Sequence, residues 1–428
     1  MKKELKQILL MILTIAIVAS FCATAISCGG SGNKQTTEEG GLTLKPSTTD
    51  IPSPPETTTS STSPVSTTTE ISETTTEKPI ETTKPITPPE TGTYINPLTG
   101  LKTSVTDPSN KRPVAIVVDN ISNAYKNQKG LYQADILYEA LVAPGITRYV
   151  AIIEDYESVK DICNVRSGRD YHIDIAQGHN AILVCHGGSI TNNYNFYQLV
   201  ISRLGSRYAF VDTKDEYVTG TEEGGKKYGT IQNYKSRSDL LFDTVVNGSA
   251  LKVTGKSSRF AKSGAGYTDT PNGFKFGTSS ASSSSISAKT VKVQFTMDNN
   301  TSTKDVTFTY DSASDKYIRS QLPKEGTNIS GEELSFTNVV FLGVEVTQGK
   351  GTEEDPRMAL IDVTGSGKGY YCYGGKMVAI KWSKTANGAL RLMTESGAEL
   401  TLSAGNTYIG YLEKDYVGEF PSKGYHAN

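Results

Sequence analysis

Cysteine, histidine and tryptophan are scarce in this chain, whose 428 residues include five cysteines, four histidines and one tryptophan. The motifs H-E-x-x-H, C-x-x-C and G-x-S-x-G are absent, and so is the spacing of a calcium-binding loop. The formal net charge is only -2, which does not indicate a nucleic-acid partner. The sequence therefore predicts no metal and no cofactor. An odd number of cysteines remains beyond residue 28, and it predicts no disulfide framework.

The amino terminus has the pattern of a secretory signal. Basic residues in MKKELKQ precede the apolar run ILLMILTIAIVASFCATAI, which ends just before Cys28. The string AISC places a small residue before the cysteine, as in the lipoprotein box of bacteria. We therefore expect a signal peptide over residues 1–28 and a lipid anchor on Cys28. An uncleaved signal anchor is the alternative, and both place the rest of the chain on the extracytoplasmic face of the cell membrane.

Threonine, serine and proline dominate residues 29–92, which contain almost no aromatic or large aliphatic side chains. Such a composition cannot bury enough apolar surface to fold. The sequence predicts a disordered linker, and a flexible coil of this length has a root-mean-square span on the order of 45 Å. The folded part would then stand off the membrane on a tether.

Alternating strand and helix signals begin at Tyr94 and predict an N-terminal α/β domain with a mixed sheet over residues 93–270. The apolar runs RPVAIVVDN, ADILYEALV, ITRYVAIIED and AILVC are typical of buried strands, and the second and third are joined by the turn residues Ala-Pro-Gly. One helix is expected before AILVC and a second one, ending at Gly205, after it. The pattern assigns no elements to residues 206–270.

Short runs of alternating polarity fill residues 271–428 and predict a small all-β domain. Gly374-Gly375 and Ser396-Gly397 are typical of hairpin turns. Trp382, the only tryptophan, follows an alternating strand, so we expect it in the core or at its rim and not as a sugar-stacking platform. The whole chain is therefore predicted to be an α+β protein.

The stretch VRSGRDYHID, residues 165–174, concentrates polar side chains in an otherwise Thr- and Ser-rich sequence. Ser167 and Asp170 have the spacing of a capping box, so they predict a helix that starts here and ends near Gly178. That helix start does not explain Arg166 and Arg169.

Arg148 on an earlier strand joins these two arginines as a candidate clamp for a carboxylate or phosphate. The alternative is that the arginines pair with the internal carboxylates Glu139, Asp170, Asp174 or Asp119 and only close the polar end of the sheet. The sequence leaves both roles open.

The stretch HGGS follows the strand AILVC and precedes a helix, so its backbone can approach an anion closely. His186 and Ser189 are therefore candidate ligand-binding residues, together with Asn120 at the end of the first buried strand. A tight turn with a hydrogen-bonded histidine is the structural alternative.

Several longer strings resemble the YerB-like family of bacterial lipoproteins, the N- and C-terminal parts of domain of unknown function 3048. The strings are NPLTGL, RPVAIVVDN, GLYQADILYEALVAPGITRYVAI, VRSGRDYHIDIA, AILVCHGGS, FTNVVF, GSGKGYYCYGGKMVAIKWSK and GAELTLSAGNTYIGYLE. The resemblance implies a two-part fold and no reaction. A Pro-His-Asn element of the family pattern is replaced here by TIQNY, and a His-x-Asp near KEGTNISGEEL is lost. Two candidate histidines are therefore missing, which weakens any histidine-based site.

Three functions fit these observations. The first is a tethered module that binds an anionic or glycan ligand of the cell envelope. The second is an extracytoplasmic hydrolase or transferase with His186 as general base, oriented by Glu139 or Asp119, and with no nucleophile identified. The third is a module that docks an envelope protein through an exposed strand edge.

Overall fold

The computed structural model describes residues 94–103, 111–191, 194–204, 210–212, 246, 273–297, 302–320, 333–348 and 358–418. The predicted signal peptide, the lipidation of Cys28, the linker and nearly all of residues 206–270 lie outside these ranges. Every helix within them is too short or too polar to cross a membrane.

The first part of the described chain alternates strands and helices. Its strands are β1 (Tyr94–Ile95), β2 (Lys102–Thr103), β3 (Val114–Asn120), β4 (Ile136–Ala143), β5 (Ile146–Ile153), β6 (Ile182–Cys185), β7 (Ile190–Thr191), β8 (Tyr194–Asn195) and β9 (Phe210–Asp212). Its α-helices are α1 (Asp170–Gly178) and α2 (Phe196–Leu204), and its 3-10 helices are Ser122–Asn127, Leu131–Gln133 and Tyr156–Ser158.

The second part is almost entirely strands, as predicted. They are β10 (Lys275–Phe276), β11 (Ile286–Ser287), β12 (Thr290–Phe295), β13 (Lys304–Asp311), β14 (Lys316–Ser320), β15 (Leu334–Phe336), β16 (Asn338–Gln348), β17 (Ala359–Asp362), β18 (Gly365–Tyr373), β19 (Lys376–Lys384), β20 (Arg391–Thr394), β21 (Thr401–Leu402) and β22 (Thr407–Glu413). The short helix α3 (Lys414–Gly418) follows β22.

A mixed sheet of twelve described strands, the main sheet, contains strands from both parts of the chain. Its order is β11-β19-β18-β16-β22-β4-β5-β3-β6-β9, with β17 paired to β16 and β20 to β19. The junction is a parallel pairing of β4 with β22, in which Ile136 lies opposite Thr407 and Glu139 opposite Gly410. Because β22 also pairs in parallel with β16, the last of the described strands occupies the middle of the sheet.

Burial explains the near-continuous apolar runs of the central strands. Every residue of β3 is buried, as expected for a strand covered on both faces. Helix α1 packs against α2 and β6. A second sheet of order β12-β13-β14-β15 alternates buried and exposed positions along β12, which is typical of a strand with one solvated face.

The predicted α+β class and the mixed sheet are confirmed. The Ala-Pro-Gly turn joins β4 to β5, and Gly374-Gly375 joins β18 to β19 with both glycines at positive φ. Trp382 is buried in the core and donates its indole N–H to the carbonyl of Gly343 at 3.1 Å. The division into domains at residues 270 and 271 stays a prediction.

Candidate functional site

The RSGR segment runs beside the carboxyl end of β3. The amide of Arg166 donates to the carbonyl of Val117 at 2.9 Å, and the amide of Asp119 donates to the carbonyl of Asn164 at 2.8 Å. These two bonds hold residues 164–166 against the carboxyl end of β3. The backbone at Arg166 is therefore fixed in position.

The same segment also contacts the HGGS turn. The amide of Gly168 donates to the carbonyl of Gly187, and the amide of His186 donates to the carbonyl of Arg166, both at 2.9 Å. Since β3 and β6 are parallel neighbours, their carboxyl ends meet at one edge of the sheet, where α/β proteins bind ligands. The structure therefore brings together the two stretches that sequence analysis selected.

The ring of Phe196 lies between these two stretches. A Cβ added at Gly168 would approach Cζ of Phe196 to 2.2 Å, and one added at Gly188 would approach Cδ1 to 2.0 Å. Real side chains do not tolerate such distances. The two glycines are therefore needed because the buried aromatic ring occupies the space of their missing side chains.

The start of α1 differs from the predicted capping box, which is wrong in its position. The first helical residue is Asp170 and the N-cap is Arg169, so Ser167 lies two residues too early to cap the helix. The amide of the N-cap residue is accepted by a histidine side chain: the Arg169 amide donates to Nδ1 of His172 at 3.0 Å. The carbonyl of Ser167 instead accepts a hydrogen bond from the guanidinium of Arg148. The predicted end near Gly178 is confirmed.

Arg148 and Arg169 are buried cations that form no ion pair within the described part of the chain. Their exposed fractions are 8% and 6%, and their acceptors are the carbonyls of Ser167 and Gly168. No carboxylate of the described residues forms an ion pair with either, and both Nε atoms lack a hydrogen-bond partner within that part of the chain. Burial and the neighbouring Arg169 lower the pKa of Arg148 to about 9.

Arg166 is the third arginine of this group and the only one of the three with an ion pair among the described residues. Its Nε lies 3.2 Å from Oδ2 of Asp119, which is buried. Asp119 also raises the pKa of Arg148, whereas Arg166 lowers it. We call Arg148, Arg166 and Arg169 the arginine cluster; one carboxylate, Asp119, is paired with it.

His172 adds a neutral donor beside the cluster. Burial, Arg148 and Arg169 hold the pKa of His172 well below its usual value. Because Nδ1 accepts the Arg169 amide, the ring proton is on Nε2. That buried Nε2 has no hydrogen-bond partner among the described residues.

His186 and Ser189 lie at the border of the cluster and are half-buried, as is Arg166. The carbonyl of Ser189 accepts the amide of Phe196 at 3.0 Å, which ties the HGGS turn to the start of α2.

Glu139, a predicted orienting carboxylate, lies on the other face of the main sheet. In the antiparallel register of β3 and β5, Asp119 lies opposite Arg148 and Asn120 lies opposite Thr147, and successive residues of a strand point to opposite faces. Oε1 of Glu139 accepts from Asn120 Nδ2 at 2.8 Å and from Thr147 Oγ1 at 2.6 Å. The side chain of Asn120 is thus buried within a network on the face opposite the arginine cluster, and its backbone amide donates to Oδ1 of Asp119 at 3.0 Å.

The second part of the chain completes that network. Oε2 of Glu139 accepts from Arg319 and from the Tyr408 hydroxyl, both at 2.7 Å, and Lys304 Nζ lies 3.9 Å from Oε1. Burial alone would raise the pKa of Glu139, but Arg319 and Lys304 outweigh it and the pKa is lowered. Burial also lowers the pKa of Lys304 to about 7.

Sequence reasoning missed Arg319, Lys304, Tyr408 and His172. Only Arg319 carries a local signal, because the buried positions of β14 alternate and place it on the same face as Tyr317. Its pairing with Glu139 spans 180 residues, and no sequence pattern at either end indicates it.

An open groove of about 770 Å³ lies elsewhere, beside β16, β18 and α3. Its lining residues are Gly343, Val344, Glu345, Asp362, Thr364, Gly365, Ser366, Gly367, Lys368, Trp382, Lys414 and Asp415. None of them is a predicted site residue. Within the described ranges, no group of three or more His, Cys, Asp or Glu side chains could hold a metal ion.

Comparisons with known proteins agree with the two-part architecture. The N-terminal domain of a family described as protein of unknown function (DUF3048) matches residues 98–219, and its C-terminal domain matches residues 291–409. The candidate lipoprotein YerB of Bacillus subtilis (strain 168) is 42% identical over 104 residues, which are 24% of this chain and 30% of that protein. This match therefore spans less than a third of the relative's length.

A crystal structure of the YerB protein from Bacillus subtilis has the same fold. Its TM-score is 0.55 at 24% identity, and the comparison covers 74% of this chain and 96% of that chain. The fold and the two domain matches define a two-part protein of the DUF3048 class. The chain belongs to the YerB-like family.

Proposed function

We propose that this protein is a membrane-tethered lipoprotein that binds an anionic ligand of the cell envelope, such as a charged glycan or lipid, at the arginine cluster. The observation that carries this proposal is that Arg148 and Arg169 are more than nine-tenths buried and form no ion pair with any carboxylate of the described residues. An unpaired buried charge costs several kcal/mol. A bound anion would offset this cost, and it can enter past the half-buried Arg166, His186 and Ser189.

The ligand test compares three arginine variants of the full chain in detergent. In Arg169→Met, retention of anionic envelope material should fall at least about tenfold, since a charge-assisted hydrogen bond contributes roughly 1.5–3 kcal/mol. Without ligand, the same variant should unfold at an equal or higher temperature, because an unpaired buried charge is removed. The assay measures bound phosphate and uronic acid, together with thermal melting.

Two controls separate binding from folding. Arg319→Met removes a buried arginine that is paired, so it should lower the melting temperature strongly. Arg391→Met changes an exposed arginine on β20 and should alter neither property. If Arg169→Met lowers the melting temperature as Arg319→Met does and reduces retention only in proportion, the arginine cluster is structural and the proposal fails.

The tether is the second component of the proposal. It is supported by the AISC string at Cys28 and by the lipoprotein assignment of the YerB relative. Metabolic labelling with a fatty-acid probe should mark the wild type and not Cys28→Ser, which should stay unprocessed or be released. A wild type that takes up no label would point to an uncleaved helix as the anchor.

The hydrolase hypothesis has less support. Glu139 accepts four hydrogen bonds, which is the capacity of a carboxylate, and it lies on the face away from Arg148. Of the two predicted orienting carboxylates, this leaves Asp119 for His186, and Asp119 already forms an ion pair with Arg166.

A further inference from the structure

Lys304 is the first residue of β13 in the second sheet, and its amine reaches the main sheet. Its Nζ donates to the carbonyl oxygen of Asn120 at 2.5 Å and lies 3.9 Å from Oε1 of Glu139. The ring of Tyr125 covers the amine, with its centre 5.3 Å from Nζ. Only 10% of the Lys304 side chain is exposed. An amine from the second part of the chain is thus enclosed by groups of the first part.

The side-chain amide of Asn120 is held beside this amine in a fixed orientation. Its Nδ2 donates to Oε1 of Glu139 and to Oγ1 of Thr147, both at 2.8 Å. Its Oδ1 is buried and accepts no hydrogen bond from the described residues. One carboxylate oxygen, Oε1 of Glu139, is therefore shared by the amine of Lys304 and the amide nitrogen of Asn120.

The charges around this oxygen are not balanced. Glu139 faces two cations, since Arg319 lies 2.7 Å and Lys304 lies 3.9 Å from its carboxylate. Asp119 also acts on Lys304 through space, but its ion pair is with Arg166. A buried cation without a full counter-charge is costly. Loss of the charge on Lys304 would leave Glu139 and Arg319 as a balanced pair.

The environment supplies both a nucleophile and a base. Burial lowers the pKa of Lys304 to about 7, against the opposing effect of Glu139. A desolvated lysine of this kind is nucleophilic in its neutral form. Burial opposes the ionisation of Glu139, but Arg319 and Lys304 outweigh burial and lower the pKa of Glu139. Glu139 is therefore a carboxylate that can accept a proton.

We propose that Lys304 and Asn120 condense to an intramolecular isopeptide bond, and that Glu139 is the catalytic residue that transfers the proton. Nζ forms a bond to Cγ of Asn120, and a proton passes from Nζ to Oε1 of Glu139. Oε1 then delivers this proton to Nδ2, the Cγ–Nδ2 bond breaks, and ammonia leaves. Atoms and charges balance without an oxidant, a reductant or another reactant. The distance between Nζ and Oε1 has to shorten from 3.9 Å for the transfer.

The product of this reaction keeps the buried network satisfied. The new amide retains one N–H, which can replace Nδ2 of Asn120 as a donor to Glu139. Thr147 keeps its own bond of 2.6 Å to the same carboxylate oxygen. The isopeptide bond would join β3 of the first part covalently to β13 of the second part. It does not depend on a ligand at the arginine cluster, which lies on the opposite face of the main sheet.

Peptide mapping of the purified full chain by mass spectrometry tests the bond. Trypsin cleaves after Lys and Arg but not before Pro, so an unlinked chain gives residues 112–126 and 293–304 as separate peptides. An acylated Lys304 resists cleavage, so the linked chain should give residues 112–126 joined to residues 293–316. The mass of this product should be lower by one ammonia than the sum of its two peptides. Fragmentation should place the link between Asn120 and Lys304.

Three variants assign the roles of the side chains. Lys304→Arg keeps a positive charge but removes the nucleophile, so residues 112–126 should be recovered unlinked. Glu139→Gln should reduce the linked fraction at least about tenfold, because positioned proton transfer contributes roughly 10²–10⁴-fold to a rate. Lys316→Arg changes a lysine of β14 in the same sheet. It is the matched control and should keep the full link.

The wild-type digest decides the proposal even if a variant does not fold, because digestion is performed on the denatured chain. Recovery of both peptides only in unlinked form would overturn it. A link from Lys304 to residues 130–148 with loss of water would make Glu139 the acceptor, and it would overturn the assignment to Asn120. A full link in Glu139→Gln would overturn the catalytic role of Glu139.

Discussion

At the residue scale, Glu139 joins the two parts of the chain through its charge. Its carboxylate is fully buried and accepts from Asn120 and Thr147 on one oxygen and from Arg319 and Tyr408 on the other. The Arg319 guanidinium is also fully buried and lies 5.2 Å from the centre of the Tyr149 ring. Each charge therefore depends on the other for compensation.

Glu139→Gln should lower the free energy of unfolding by about 3–5 kcal/mol, because it leaves Arg319 and Lys304 without their counter-ion. Urea denaturation followed by circular dichroism measures the change. Glu345→Gln is the matched control: it breaks the exposed pair with Lys414, in which both side chains are 51% exposed, and should cost less than about 1 kcal/mol. Similar losses in the two variants would contradict this account of the buried network.

At the element scale, Phe196 at the start of α2 determines how closely the RSGR and HGGS stretches approach each other. Its ring occupies the space beside Gly168 and Gly188. The position of α2 is thereby coupled to the backbone of the arginine cluster, although no residue of α2 belongs to that cluster.

Gly168→Ala should destabilise the protein by about 1–3 kcal/mol through overpacking and should also weaken anion retention. The Gly168 φ angle is not in the positive region, so steric contact with Phe196 is the cause. Thermal melting and retention are measured for the single variants and for Gly168→Ala with Phe196→Leu. The double variant should recover part of the loss, and strict additivity of the two single effects would rule out the contact as the cause.

The sequence correctly predicted those strands and turns that are determined by residues close to one another in the chain. The buried runs around Val114 and Ile182 are strands, and the glycine pair at residues 374 and 375 forms a hairpin turn. The helix starts two residues later than predicted: the N-cap is Arg169 and its amide is accepted by His172, whereas the prediction gave these two roles to Ser167 and Asp170. Capping rules favour Ser, Thr, Asp and Asn and do not anticipate this.

The candidate site was predicted only in part, for a related reason. The three arginines and the HGGS turn are close in sequence and meet at one sheet edge. Glu139 was assigned to the same site, but its partners Arg319 and Tyr408 lie 180 and 269 residues further along the chain. Contacts between residues so far apart in the sequence form only in the complete fold. The strand register of that fold places Glu139 on the face of the main sheet opposite the arginine cluster.

At the scale of the whole molecule, the main sheet is continuous through both parts of the chain. The parallel β4–β22 pairing, the Glu139 network and the bond from Lys304 Nζ to the carbonyl of Asn120 all cross between them. Such contacts couple the stability of one part to that of the other.

Equilibrium unfolding of the full chain in urea should therefore be a single transition. Trp382, the only tryptophan, reports on the second part by its fluorescence. Hydrogen exchange of β3 reports on the first part. The two midpoints should coincide, whereas separate midpoints would mean that the parts unfold independently despite the shared sheet.

The central position of β22 has a consequence for synthesis. Residues 136–139 must pair with residues 407–410, so nearly the whole chain has to emerge before this pairing can form. Until then β4 and β16 each keep an open strand edge, which invites pairing with other chains. Closing so long a loop is also slow. A chain would thus pass through a stage of aggregation risk that ends only when β22 has emerged, and a chain cut before residue 407 could never leave that stage.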